Sequence, residues 1–181
     1  RLFGGSMAQT NILLEAGTNE LEVVEFYLDE ATFPTVDAGD VNADPQAAAG
    51  EGSYRGYYGV NVAKVLEIIR MPKVTELPEV QHPSVLGAFN LRSRIIPLVD
   101  LAMWLGKTHT QTDEQPKTIV TEFNNVTTAF MVSGVNRIHR ISWEKVEQPN
   151  KYVAAVSNNT VIGVVKLEER IVFLLDLEKV V

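Results

Sequence analysis

An internal repeat constrains this chain more than any other feature. Gly87-Ala-Phe-Asn-Leu-Arg-Ser-Arg-Ile-Ile-Pro-Leu-Val-Asp-Leu101 aligns, 76 residues on, with Gly163-Val-Val-Lys-Leu-Glu-Glu-Arg-Ile-Val-Phe-Leu-Leu-Asp-Leu177. Apolar letters coincide by chance in any two strands, but Gly, Arg and Asp in register with them do not. Each copy reads as a glycine bend, a charged turn, an apolar strand and an aspartate cap. A weaker echo links Tyr57–Ile68 with Phe130–Ile141. Two similar β subdomains follow. The copies differ where Arg92 of the first meets Glu168 of the second. A symmetric fold would carry an asymmetric surface there.

The rest of the chain supports a β reading. Leu21–Leu28, Tyr57–Val62, Val65–Met71, Arg94–Val99, Thr118–Phe123, Thr127–Val132, Arg137–Ser142, Val161–Lys166 and Arg170–Leu175 are short runs rich in β-branched and aromatic residues. Such short, frequent strands point to barrels rather than to a βαβ sheet. His82–Phe89 is expected to be a short helix, with its proline early. Pro97 cannot donate a ladder hydrogen bond and marks an edge or a bulge. Asp100 suits an N-cap for Leu101–Leu105, and Gly106 a C-terminal stop. Asp176 suits a cap for a closing helical turn.

Three stretches stand apart. Arg1–Ser6 precedes Met7 and reads as an expression scar, leaving 7–181 as a single domain. Residues 31–56 hold Pro34, Pro45, Ala47-Ala48-Ala49 and several glycines, and read as a flexible insertion. Lys107–Lys117 is polar and reads as a linker between halves.

Composition narrows the chemistry. The net charge is −7 with scattered Lys and Arg, so no nucleic-acid footprint is expected. No cysteine is present, which excludes disulfides and thiol chemistry. No apolar run approaches a membrane span, so no direct membrane insertion is expected. His82, His109 and His139 are isolated and fit no metal-ligand spacing. His82 is expected to be exposed, and His139 is expected to point outward from its strand. No nucleotide-binding loop or nucleophile elbow occurs. No enzyme, metal or cofactor is therefore expected. Tyr57, Tyr58, Val65, Phe89, Met103 and Trp104 each read first as core. Glu67, between Leu66 and Ile68, is expected to point outward.

The Gly87–Leu101 stretch resembles the signature of CheW-like coupling domains, roughly Gly-x-x-Asn-Leu-Arg-Gly-x-Ile-x-Pro-x-x-Asp-Leu. Tyr58-Gly59-Val60-Asn61-Val62-Ala63-Lys64-Val65-Leu66-Glu67-Ile68-Ile69 is similar to two further strands of that family, and Gly163–Val181 to its second half. The likeness runs from about Leu21 to Val181. Within the family, Asn11–Phe26 and Val135–Glu144 look like the CheV subgroup, which joins such a domain to a phosphorylatable receiver. No receiver is visible in the sequence.

The resemblance implies a mainly β fold of two SH3-like five-stranded barrels with short helices. It implies a cytoplasmic adaptor in chemotaxis that binds the tip of a methyl-accepting chemoreceptor and the regulatory domain of the histidine kinase CheA. By motif position, Val65, Glu67, Gly87, Asn90 and Arg92 become the partner-binding candidates. Ser93 departs from the family's usual glycine and leaves the turn there open. The alternatives are a β-barrel that binds a small ligand and an oligomerisation domain.

Overall fold

The computed structural model describes residues 19–31, 53–78, 82–106, 115–150 and 160–180. Arg1–Ser6, His109, residues 32–52 of the expected insertion and residues 107–114 of the expected linker lie outside them. Ten strands occur among the described residues: β1 Glu20–Ala31, β2 Ser53–Asn61, β3 Val65–Arg70, β4 Val85–Leu91, β5 Arg94–Asp100, β6 Lys117–Phe123, β7 Val126–Val132, β8 Gly134–Ser142, β9 Val161–Leu167 and β10 Arg170–Leu175. One short helix, α1, spans Leu101–Trp104.

The strands form two five-stranded sheets. The first runs β8-β1-β2-β10-β9 and the second β3-β6-β7-β5-β4. Each sheet takes two strands from one half of the chain and three from the other. Connection length explains the exchange. β1 is antiparallel to both β2 and β8. If β3 took the place of β8 it would lie parallel to β2, and a parallel crossover needs about a dozen residues. Only the 3-10 turn Val62–Lys64 joins β2 to β3, and Ser133 alone joins β7 to β8. The chain must therefore step into the other sheet.

The repeat is visible in the backbone. The segment after β3 bridges to β4 at Thr75 and Ala88, and the segment after β8 bridges to β9 at Glu147 and Val164. Ser84 O accepts from Asp100 N at 2.7 Å, and Thr160 O accepts from Asp176 N at 2.9 Å. These bridges draw the outer strands of each sheet together into a barrel. Each barrel has its own interior. Val23, Ile141, Val165, Val172 and Leu174 fill the first, and Phe89, Ile96, Leu98, Val120 and Ala129 the second. A larger core lies between the sheets, where Phe26, Leu28 and Tyr58 meet Val99, Leu101, Ile119, Phe123 and Phe130. Each such side chain contributes about 1.5–3 kcal/mol on burial.

The structure corrects several local expectations. His82–Phe89 is not a helix: a turn at His82 leads into β4, because Val85–Leu91 pairs with β5 throughout. The stretch expected to be loop up to Gly56 already belongs to β2 from Ser53, held by pairing to β1. Pro97 lies in an inner strand, not at an edge. It faces Ala88 of β4 just before the pairing of β5 with β7 begins at Leu98, and the nearby register shift falls in β4 between Val85 and Gly87. Asp100 does cap α1, accepting from Met103 N at 3.4 Å, and Gly106 follows with φ 82°.

Candidate functional site

The second barrel closes where its outer strands, β3 and β4, approach each other, and the candidate residues gather there. Arg92, on the β4–β5 turn, places Nη1 3.0 Å from Glu67 Oε2 on β3. The Arg92 side chain is 77% exposed and that of Glu67 only 25%. Val65 lies before Glu67 on β3, across a register shift, and packs against the shared core. A depression of ≈ 330 Å³ lies beside it, between Ala63–Leu66 and Glu122, Asn124 and Asn125. Asn90 is exposed near the end of β4.

Gly87 is buried at the start of this edge. Its φ is +148°, and a Cβ there would stand 2.2 Å from Thr75 O. Only glycine lets β4 approach the Thr75 backbone so closely. Gly87 thus shapes the closure that carries the exposed candidates.

Glu67 reverses the expected orientation. Leu66 and Ile68 are the exposed residues of β3, whereas Val65, Glu67 and Ile69 are partly buried. On this outer strand the inward side ends at the barrel mouth, where a carboxylate meets Arg92, and two apolar side chains are left facing solvent. Ile95, on β5, is 81% exposed. Of the aromatic residues expected in the core, Tyr58 and Phe89 are buried, and Tyr57 and Trp104 partly so.

Ser93 leaves the turn well defined. Arg92 and Ser93 have φ of 50° and 68°, both left-handed, as a two-residue hairpin turn of type I′ requires. The equivalent Glu168 and Glu169, at 47° and 67°, form the same turn.

The first barrel carries the same arrangement with the charges exchanged. Glu168 on its β9–β10 turn forms an ion pair with Arg137 on β8. The asymmetry visible in the repeat is therefore a reversal of a whole pair.

A second polar cluster lies inside that barrel and was not legible in the sequence. Glu25 of β1 is 0% exposed. It pairs with Gly59, as Val120 pairs with Ala129 in the other barrel, so a carboxylate stands where the twin barrel has valine. Arg170 Nη2 donates to its Oε1 at 2.7 Å, and Asn136 Nδ2 donates at 3.0 Å. His139 Nε2 lies 3.0 Å from the same oxygen. Burial raises the Glu25 pKa, but the hydrogen bonds from Arg170, Asn136 and His139 outweigh it and hold the carboxyl below its ordinary value. His139 thus points inward, contrary to expectation: it shares a face with buried Ile141, and Ile138 is exposed. The signal available was an acid at position 25 inside the apolar run Val23–Leu28. His82 is also not exposed: its ring packs 4.7 Å from Trp104.

Among the described residues no group of three or more His, Cys, Asp or Glu is placed to hold a metal ion. No described helix is long and apolar enough to cross a membrane.

Comparison with known proteins agrees with this architecture. The CheW-like domain family matches residues 51–181. Chemotaxis protein CheV3 of Helicobacter pylori is 45% identical over 131 residues, which cover 70% of this chain and 42% of that protein. This chain thus spans less than half of that relative's length. Chemotaxis protein CheW of Thermotoga maritima is 32% identical, over 67% of this chain and 78% of that protein. In the solved structures, the scaffolding protein TtCheW of Thermoanaerobacter tengcongensis shares the fold with a TM-score of 0.66 at 21% identity, covering 87% of this chain and 89% of that one. With the matched family spanning more than two thirds of the chain and the exchanged double barrel in place, this chain belongs to the CheW-like domain family of chemotaxis proteins.

Proposed function

We propose that the chain is a non-catalytic coupling adaptor that holds a chemoreceptor tip and the regulatory domain of the CheA kinase together at the cytoplasmic face of the membrane. The observation that carries this reading is the closure of the second barrel. An exposed arginine anchored by a half-buried glutamate stands there, on a strand whose Leu66 and Ile68 face solvent. Exposed apolar side chains beside a polar pair suit an amphipathic helix laid into a shallow groove. Arg92 and Glu67 would supply orientation and specificity more than raw affinity. Val65 would line the groove floor, Asn90 its rim, and Gly87 would hold the edge in place.

The test is capture. Immobilised chain should retain both a receptor-tip fragment and a kinase regulatory fragment at neutral pH. Failure to retain either fragment, with the chain folded, would overturn the adaptor reading.

A further inference from the structure

We propose that the His82–Pro83–Ser84 turn is a proton-sensitive latch on the entry to β4. Ser84 N–H donates to His82 Nδ1 at 3.1 Å. A backbone N–H can only donate, so Nδ1 carries no proton in this geometry. Ser84 Oγ lies 2.6 Å from the same nitrogen and donates to it as well. The neutral ring therefore holds its one proton on Nε2, and an imidazolium must place its second proton on Nδ1. That proton would face the Ser84 N–H, which loses its acceptor, while the Ser84 hydroxyl must turn from donating to accepting.

The contacts that this loosens are specific. Val85 N donates to His82 O at 3.1 Å, and the ring packs 4.7 Å from Trp104 of α1. Ser84 is fully buried, and its carbonyl holds Asp100 N, the cap of α1. Among the described residues, the imidazole meets Ser84 of its own turn and Trp104 of α1, and neither is ionisable. The next acid along these contacts is Asp100, reached only through the Ser84 carbonyl. Among the described residues, the ring's hydrogen bonds are to Ser84 and not to a carboxylate. Histidine is the side chain whose charge ordinarily changes between about pH 5 and 8.

The repeat supplies the control. The residue 76 positions beyond His82 is Asn158, and Thr160 stands opposite Ser84. An asparagine oxygen accepts from the N–H two residues on, as His82 Nδ1 does, and never titrates in this range. His82→Asn should therefore keep the latch closed at every pH.

The regulatory step rests on the adaptor reading, since β4 carries Gly87 and Asn90 and leads to Arg92. The experiment follows the Ser84 amide of the 15N-labelled chain from pH 8 to 5, beside the His82 ring resonances. In the native chain the Ser84 protection factor should fall at least about tenfold as the ring protonates, the loss of one hydrogen bond. In His82→Asn it should hold. Unchanged protection in a protonated native chain, or the same fall in His82→Asn, overturns the latch. The ring nitrogen shifts at pH 8 decide on the native chain alone: a proton found on Nδ1 there also overturns it. Receptor-fragment capture should weaken over the same interval in the native chain only. Capture that ignores pH while the latch opens overturns the regulatory step, whereas absent capture at pH 8 counts against the adaptor reading instead.

Discussion

Arg92 and Glu67 join the two outer strands of one barrel, and Arg137 and Glu168 join those of the other with the charges exchanged. A partner that reads one end of this molecule by charge would meet the opposite order at the other end. The duplicated halves thus share a backbone arrangement and differ in the order of this charge pair.

Reversing one charge tests whether a partner reads that order. Arg92→Glu should leave the fold intact, because an ion pair this exposed contributes no more than about 1 kcal/mol. Thermal unfolding should shift only slightly, while capture of partner fragments should fall at least tenfold. The double variant Glu67→Arg with Arg92→Glu restores attraction within the pair. If Arg92 meets the partner directly, the double variant stays defective. Unchanged capture in folded Arg92→Glu removes Arg92 from the site.

Gly87 should behave differently, as a residue of shape. An added methyl would press on Thr75 O, and the φ of +148° is strained for any L side chain. Gly87→Ala should cost about 3 kcal/mol in urea unfolding, the size of one severe backbone violation. Loss of capture without loss of stability would instead make it a contact residue.

The fold was legible because the repeat fixes strand content and the duplication together. The candidate site was legible only through motif position. Orientation rules failed at Glu67 and His139 for one reason: alternation assumes that apolar residues face inward. On β3 the inward face ends at the barrel mouth, so Leu66 and Ile68 take the outside. On β8 the inward position beside Ile141 is held by His139, because Glu25 stands on the adjacent strand β1. No local pattern reveals a partner 114 residues away in sequence. The Val62–Lys64 connection was readable as short, but its consequence for strand exchange needed the sheet order.

The type I′ turns predict an easy gain. Ser93 sits at φ 68°, where an L residue costs about 1–2 kcal/mol relative to glycine. Glycine gives back roughly 0.5–1 kcal/mol through the freedom it adds to the unfolded chain. Ser93→Gly should therefore raise stability by about 0.5–1 kcal/mol in chemical denaturation, with capture unchanged. A loss of stability would show that the turn is not the hairpin described.

Glu25 sets an acid limit on the fold. Its carboxyl titrates below the ordinary value near 4.5, because Arg170, Asn136 and His139 favour the charged form more than burial opposes it. A depressed folded value means that the stabilisation is complete above the unfolded value and is lost as pH falls through the folded one. Stability should thus hold down to about pH 4.5 and then decline steeply. Glu25→Gln removes the titrating group and leaves Arg170 less well paired. It should cost about 3 kcal/mol at pH 7 and flatten the decline below pH 4.5, as read from urea unfolding at each pH. An equally steep acid decline in Glu25→Gln would place the acid-sensitive group elsewhere.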